Sequence, residues 1–285
     1  MAIDHFIPKL WAARVLEHLD KALVYGALTT KEYQDEANGI LNWGDTVNIN
    51  SFADPTIGDY TKNGTIGAPE VLTSDQRQLV INQAKYFNFG IDDIDAAQQK
   101  PKLMDSAMAR AAYGLADQYD RYIASLYVDV AASNIVGLGN DTTPVVPTKT
   151  NVYEYFTQAS MLLDEASVPS SKRWAVIPPW LKKTLLNSGE FAADTALGDT
   201  VKTTGQLGSI AGFTVYVSNN VPNTSGARYK IMFGYPRAIA SADQLNSIEA
   251  YRPERSFSDA VKGLHVYGGK LIQPTGIAVM TANKA

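Results

Sequence analysis

The stretch PKLMDSAMARAAYGLADQYDRYIASLYVDV, residues 101–130, is the part of the sequence that most strongly predicts a fold. Apolar residues recur there every three or four positions, at Met104, Met108, Ala111, Leu115, Tyr119, Tyr122, Leu126 and Val130. That spacing places them on one face of a helix, and Pro101 suits a first helical turn. We expect one helix over about 101–132, roughly 45–50 Å long, which is typical of an elongated, flattened subunit.

The segment before this helix, 45–90, is typical of an extended two-stranded arm. The alternating DTVNINSF at 45–52 predicts one strand, and RQLVINQAKYFNF at 77–89 predicts a second. The residues between them are rich in Gly, Asp, Thr and Pro, and Asn63–Gly64 is a pair that favours a tight turn. An isolated two-stranded hairpin is only marginally stable in water. Either an internal sheet or another chain must therefore cover the arm.

Downstream of the long helix, helices and strands are mixed without a βαβ rhythm, which predicts an α+β class. We expect a helix at 151–166, a buried strand at 174–179, a helix in LKKTLLNS at 181–188 and a loop at 189–209. Later strands are expected in FTVYVSNNVP, in YKIMFGYP and in the C-terminal segment, which a charged loop near 252–260 interrupts. A short amphipathic helix is expected around 11–19.

Composition narrows the function before any motif does. The chain has 285 residues, of which 45% are hydrophobic and only 19% charged. The usual charged share is about 25%, so part of the surface is expected to be covered by a partner. The net charge of −4 argues against a dedicated nucleic-acid binder. With no cysteine, thiol nucleophiles, disulfides and cysteine metal sites are excluded. The sequence has neither a signal-peptide pattern at its start nor an apolar run long enough to span a membrane.

The search for chemistry finds little. The histidines His5, His18 and His265 share no ligand spacing, and ordinary packing or surface roles explain them better. The carboxylates of 92–95 are better explained by the start of a helix than by a cation site. GQLGSIAG at 205–212 lacks the spacing of a phosphate-binding loop. We therefore expect no catalytic, metal or cofactor site, and a protein that is not an enzyme.

Five segments, in order, resemble the tailed-phage major capsid family, the Hong Kong 97 type of shell protein. IPKLWAARVLEHLDKALV followed by NWGDTVNI is similar to the family's N-terminal arm leading into its extended loop. NFGIDDIDAAQ and the long helix are similar to the entry to its spine helix. Three further segments resemble later parts of the family's sequence: WAVIPPWLKKTLLNS, LGSIAGFTVYVSNNVP and YRPERSFSDAVKGLHVYGGKLIQP. The resemblance runs from about residue 3 to residue 280.

The resemblance implies four parts in the phage major capsid fold. They are an N-arm at 1–44, an extended E-loop hairpin at 45–90, a peripheral domain at 91–149 and 246–285 with the spine helix at about 101–132, and an axial domain at 150–245. The loop at 189–209 would then point toward five-fold and six-fold centres. The implied function is that of a structural major capsid protein, which self-assembles into an icosahedral shell around double-stranded viral DNA.

Two places are expected to form contacts between subunits. On the arm and its tip we expect Asp59, Lys62, Asn63, Gly64 and Arg77, and in the charged loop Arg252, Glu254, Arg255 and Asp259. The alternative for the loop is an exposed hairpin whose charges only stay hydrated. For Lys62 we expect a plain solvated lysine, because the asparagine and buried acid that isopeptide cross-linking needs cannot be identified.

The expected partners follow from the same resemblance. They are other copies of the chain in hexamers and pentamers, a portal, and either a separate scaffolding protein or none, because only about 44 residues precede the arm. A decoration protein is a further candidate, and DNA would be enclosed without sequence-specific binding. The subunit would be assembled in the host cytoplasm and reside in the virion, with no membrane association. The alternatives are an encapsulin-type compartment shell and a soluble enzyme with dispersed catalytic residues.

Overall fold

The structure, a computed structural model, describes residues 24–32, 43–52, 55–60, 62, 64–65, 68–70, 74–92, 103–188, 208–255 and 257–284. No helix among these residues is long and apolar enough to cross a membrane. The helix expected around 11–19, and all but the end of the loop expected at 189–209, lie outside the described residues.

The described residues form three α-helices and ten strands. The helices are α1 (Leu103–Ser125), α2 (Val152–Glu165) and α3 (Pro179–Leu186). The strands are β1 (Thr46–Phe52), β2 (Ser74–Val80), β3 (Gln83–Asp92), β4 (Trp174–Ile177), β5 (Ser209–Ile210), β6 (Phe213–Val217), β7 (Tyr229–Gly234), β8 (Ile239–Tyr251), β9 (Ser258–Leu271) and β10 (Ile277–Ala282). Of the strands named here, β4 and β6 form the one parallel pair, and the predicted α+β class is confirmed.

The long helix is shorter than the sequence predicts. α1 has 23 residues, or roughly 35 Å at 1.5 Å per residue. At its end the Ser125 hydroxyl donates to the carbonyl oxygen of Tyr122 at 2.6 Å, a local bond that competes with the helix ladder. Leu126–Asp129 then tighten into a 3₁₀ turn. A 3₁₀ turn keeps nearly the same apolar spacing, so periodicity alone could not locate this end.

The predicted apolar face of α1 packs on a three-stranded sheet of order β3-β9-β8. Leu115 is buried in a cluster with Ile248 of β8 and Val261 of β9. Toward the end of the helix, Tyr119 packs edge-on to Tyr267, with ring centroids 5.2 Å apart. Tyr119 also belongs to the largest cluster of buried apolar residues, which lies around a second, five-stranded sheet. Helix α1 therefore connects the two sheets.

The second strand predicted for the arm is in fact two strands. β1 and β2 pair antiparallel from Thr46–Val80 to Phe52–Ser74, as the hairpin requires. The chain then bends at 81–82, and β3 pairs along its whole length with β9. Residues 83–90, which the predicted segment 45–90 assigned to the arm, therefore belong to the three-stranded sheet. Both strands are apolar on one side, so alternation could not show the change of partner.

A five-stranded sheet of order β10-β7-β4-β6-β5 carries the large core. Its central strand β4 is buried on both faces. Helix α2 packs on the sheet through Phe156, whose ring lies 5.1 Å from that of Phe233 in β7. β10 pairs with β7 in this sheet. Residues 277–282 were predicted to belong to the peripheral domain, but they lie in the same sheet as strands of the predicted axial segment, 150–245. The predicted boundary at 246 also falls inside β8. Such long-range pairings are not encoded in local patterns.

Candidate assembly surfaces

The base of the arm is built into the subunit by apolar contacts. Ile49 of β1 and Leu79 of β2 are buried in a cluster with Ala240, Ala242 and Val266 of the three-stranded sheet. This burial attaches the two strands of the arm to the three-stranded sheet at their base.

Two further contacts fix this base. The β2 backbone passes so close to Gly268 of β9 that a Cβ there would lie 2.5 Å from the carbonyl oxygen of Val80 and 2.9 Å from the Cα of Ile81. The Arg77 guanidinium donates to the carbonyl oxygen of Ile272. Arg77, predicted as a contact between subunits, is thus bonded within its own chain.

The arm tip, which we define as residues 55–60 with Glu70, is fully in solvent. The backbone N–H and the hydroxyl of Thr56 donate to the Glu70 carboxylate at 2.9 and 3.2 Å, which closes the tip across its neck. Ile57 is 95% exposed and Tyr60 is also exposed. Two large apolar side chains held in water are typical of a binding surface.

The predicted contact residues of the tip have little intrachain burial. Asp59, Lys62 and Gly64 are all exposed, and Asn63 lies outside the described residues. Polar residues near the tip were predicted as contacts from the sequence, whereas Ile57 and Tyr60 were not. An isolated isoleucine in a Gly- and Asp-rich stretch was the signal that could have found them.

The charged loop, residues 252–257, joins β8 to β9. Arg252 lies 3.3 Å from Asp259, and the two side chains are 58% and 52% exposed. Glu254 and Arg255 are exposed as well. The structure therefore brings Arg252 and Asp259 together within one chain. The sequence analysis missed Phe257, whose ring stands in solvent beside these charges.

A buried carboxylate joins three parts of the chain. Asp120 of α1 is 2% exposed and accepts hydrogen bonds from the backbone N–H groups of Val24 and Tyr25, at 2.9 and 2.6 Å. Its other oxygen accepts from the Asn220 side chain at 3.0 Å. A buried carboxylate without partners would be costly, so these bonds tie the N-terminal segment and the five-stranded sheet to α1.

A second polar cluster secures the segment 29–31 to β8. Thr30 forms backbone hydrogen bonds with Ile239 and Ser241, at 2.9 and 3.0 Å, and the Lys31 ammonium lies 2.5 Å from Asp243. Burial would raise the pKa of the Asp243 carboxyl, but the His265 imidazole, 3.8 Å away, and Lys31 outweigh it, so the pKa is lowered. His265 is buried and packs against the rings of Tyr119 and Tyr267, which is an ordinary packing role of the kind that the sequence favoured.

Among the described residues, no three His, Asp or Glu side chains come together as a metal site. Asp92 is the last residue of β3, eleven positions before the first residue of α1, so the helix-start interpretation of 92–95 is wrong for Asp92. His5, His18, Asp93 and Asp95 lie outside the described residues. What the geometry provides is a projecting apolar tip and a charged loop, both suited to binding protein.

Comparison with known proteins gives a consistent result. The profile of the family described as "Phage capsid protein" matches residues 76–280, about seven-tenths of the chain. A search of curated proteins gives no match.

Solved structures of similar fold come from several sources. A chain of Mycobacterium phage Che8 is 27% identical, with a TM-score of 0.74 over 90% of each chain. The capsid structure of cyanophage P-SCSP1u has a TM-score of 0.75 at 14% identity, covering 93% of this chain and 89% of that chain. A virus-like particle from Pyrococcus furiosus has a TM-score of 0.57 at 12% identity, covering 96% and 98%. The last two show likeness of fold.

Proposed function

Because the chain belongs to the phage capsid protein family, we propose that this structural capsid protein forms an icosahedral shell of hexamers and pentamers enclosing double-stranded viral DNA. Its place is the capsid of the virion, and its role is structural rather than catalytic. The observation that carries the proposal is the arm, whose base is buried in the subunit while Ile57 and Tyr60 at its tip are in solvent. A neighbour that covered this tip would bury two large apolar side chains, which favours contact between subunits.

The test is assembly of the expressed protein. We expect size-exclusion chromatography to give a species in the megadalton range and negative-stain microscopy to show closed, regular particles. A stable monomer or small oligomer, with no particles under any assembly condition, would contradict the proposal and favour a soluble protein.

The arm supplies a contact between neighbours in each ring. Hexamers and pentamers are head-to-tail rings, closed by heterologous contacts, and a projecting arm fits that geometry. Deleting 56–72 removes the tip but leaves the buried residues Ile49 and Leu79 in place. The subunit that lacks 56–72 should therefore fold, as judged by circular dichroism, but should fail to form closed shells. Normal particles from this deletion would refute the role of the arm.

The charged loop is the second proposed contact, at the axes where capsomers meet. The family resemblance suggests that place for it, and the exposure of Arg252, Glu254, Arg255 and Phe257 supports it. Arg252 already has a carboxylate within its chain in Asp259. Arg255 is then the better candidate to bind a carboxylate of the next subunit in two places.

The remaining partners are proposed from the resemblance to Hong Kong 97-type shells. They are a portal, either a separate scaffolding protein or none, and a decoration protein, with assembly in the host cytoplasm. Mass spectrometry of the proteins in purified particles and of their precursors tests each of them.

An encapsulin-type compartment is the second candidate, because a virus-like particle from Pyrococcus furiosus shares the fold. The match to the phage capsid family favours the viral shell. Nuclease-protected DNA in particles from infected cells is expected for the viral shell. Particles that hold only cargo protein and have no portal vertex would favour the compartment.

A further inference from the structure

A groove of about 690 Å³ opens where the base of the arm meets the five-stranded sheet. Its apolar lining includes Ile49, Val168 and Ile272, and the side chains of Arg77 and Arg237 lie along it. None of the described residues that line it is acidic. Glu32, which lies outside this lining, pairs with Arg237 at 3.1 Å, so Arg77 is the arginine that the groove offers to an incoming carboxylate. The groove therefore favours an apolar side chain accompanied by a carboxylate next to Arg77.

Buried polar contacts hold the two walls of this groove in shape. On one side the guanidinium of Arg173, 2% exposed, donates to the carbonyl oxygens of Val168 and Pro169 at 2.5 and 3.0 Å. On the other side the buried Asn134 amide donates to the carbonyl oxygen of Thr275 at 2.7 Å. Walls fixed in this way form the groove before any partner binds, which lowers the ordering cost of binding.

The arm tip has the complementary chemistry. Ile57 and Tyr60 are its exposed apolar side chains, and Asp59 lies between them in sequence. Arg77 donates to a carbonyl oxygen of the groove wall, but a guanidinium has five N–H donors. Most of them stay available to a carboxylate that enters the groove.

The arm tip of one chain does not fill its own groove. Ile49, which pairs with Arg77, lines the groove, whereas Ile57 is 95% exposed and is not among the lining residues. Ile57 is therefore available to the groove of another copy.

We infer that the groove receives the arm tip of a neighbouring copy, with Ile57 inserted between its walls and Asp59 facing Arg77. Each subunit then supplies one tip and one groove. Repetition of this single contact around an axis closes a head-to-tail ring. The inference rests on the proposed shell and specifies where on the neighbour the arm lies.

Because the chain has no cysteine, a disulfide can test this contact directly. Ile57→Cys subunits and tagged Thr275→Cys subunits are mixed, assembled and oxidised, and Thr275 is an exposed residue of the groove. A disulfide needs Cα atoms about 4.4–6.8 Å apart. We expect a reducible dimer containing one tagged and one untagged chain on non-reducing gels of the purified particles.

The matched control replaces Thr275→Cys by Glu154→Cys, an exposed position at the far end of α2, roughly 18 Å from 166. A mixed dimer at least five-fold more abundant with Thr275→Cys than with Glu154→Cys supports the inference. Equal yields, or no mixed dimer in well-formed particles, overturn it. If the unmodified protein forms no particles, the proposal that this chain forms a shell is wrong. That result differs from well-formed particles without the mixed dimer, which would exclude only the contact between tip and groove.

A second variant tests the anchor without a cross-link. Ile57→Asp changes a fully exposed side chain and should leave the subunit folded. It should lower particle yield at least ten-fold, whereas Thr65→Asp, on the same exposed loop, should not. Equal yields from the two variants would mean that Ile57 is not inserted in a neighbour.

Discussion

At the scale of single residues, close approaches and ion pairs hold together segments that are distant in sequence. Gly268 admits the arm backbone against β9, Asp120 binds the backbone at 24–25, and Asp243 lies beside Lys31. Few residue types can replace Gly268, Asp120 or Asp243 at these positions. A single substitution there should therefore weaken the contact between the two segments that the residue joins.

Gly268→Ala should loosen the arm. The added Cβ would meet backbone atoms of Val80 and Ile81 at under 3 Å, and such overpacking costs about 1–3 kcal/mol. We expect a lower urea midpoint for the unassembled subunit and a lower particle yield. Gly114→Ala is the control, because a Cβ added at Gly114 would have no other atom within 4 Å. A Gly268→Ala subunit as stable as that control would show that the arm does not press on β9.

Asp243→Asn should change the pH dependence of stability. The folded state lowers the pKa of Asp243, so its charge stabilises the fold above the unfolded value near 3.9. That stabilisation is lost as pH falls through the folded pKa. We expect the variant to be less stable at pH 7, by about 1–3 kcal/mol, with the difference closing below about pH 4. Urea unfolding at pH 3–7 measures it.

Asp59→Asn, which changes an exposed carboxylate, is the matched control and should follow the wild-type curve. If the free energy of unfolding of the wild type exceeds that of Asp243→Asn by the same amount at every pH, the ionic role of Asp243 is contradicted.

At the scale of elements, α1 connects the two sheets. Its first half packs on the three-stranded sheet and its second half enters the large core. The arm, by contrast, is buried only at its base. Damage to α1 should therefore unfold the subunit, whereas damage to the arm tip should spare the fold and affect assembly.

Leu115→Ala tests the role of α1. Leu115 is buried and its neighbours in the cluster include Ala112 and Ala116, so it is the large side chain at that point. Truncating a buried leucine costs about 2–5 kcal/mol, which chemical denaturation of the subunit would measure. Tyr113→Ala, on the exposed face of the same helix, should change stability by less than about 0.5 kcal/mol. Equal effects would place Leu115 outside the core.

At the scale of the whole molecule, the exposed features matter once copies meet. The arm tip and the charged loop are peripheral to the two sheets and add little to the stability of one subunit. In a shell each contact repeats at every equivalent axis, so small energies add up. Salt and surface charge should then act on particles more strongly than on subunits.

Arg252→Ala combined with Arg255→Ala should leave the subunit stable, because exposed ion pairs contribute only about 0–1 kcal/mol. Particle yield and the temperature of DNA release should both fall at low salt. High salt should weaken wild-type particles in the same direction, since it screens exposed charges. Lys85→Ala with Lys262→Ala, two exposed cations outside the loop, is the control. Double-mutant particles that match wild type at low salt would exclude an inter-capsomer role.

Local sequence patterns were enough to predict the mixed class, the apolar face of α1, the pairing of β1 with β2 and the resemblance to the family. These follow from local periodicity, from turn residues and from the order of five segments, all of which are properties of neighbouring residues. For the same reason the sequence pointed to polar residues that the structure exposes, namely Asp59, Lys62, Arg252, Glu254 and Arg255.

Long-range packing, in contrast, sets where β2 ends and β3 begins, pairs β10 with β7, and leaves Ile57 in solvent. It also makes Asp120 a buried joint and forms the groove beside Arg77 and Arg237. Each of these depends on which distant segment lies opposite a residue. A strand with one apolar side can pack against the arm, the sheet or a neighbour with the same pattern, and long-range contacts select among them.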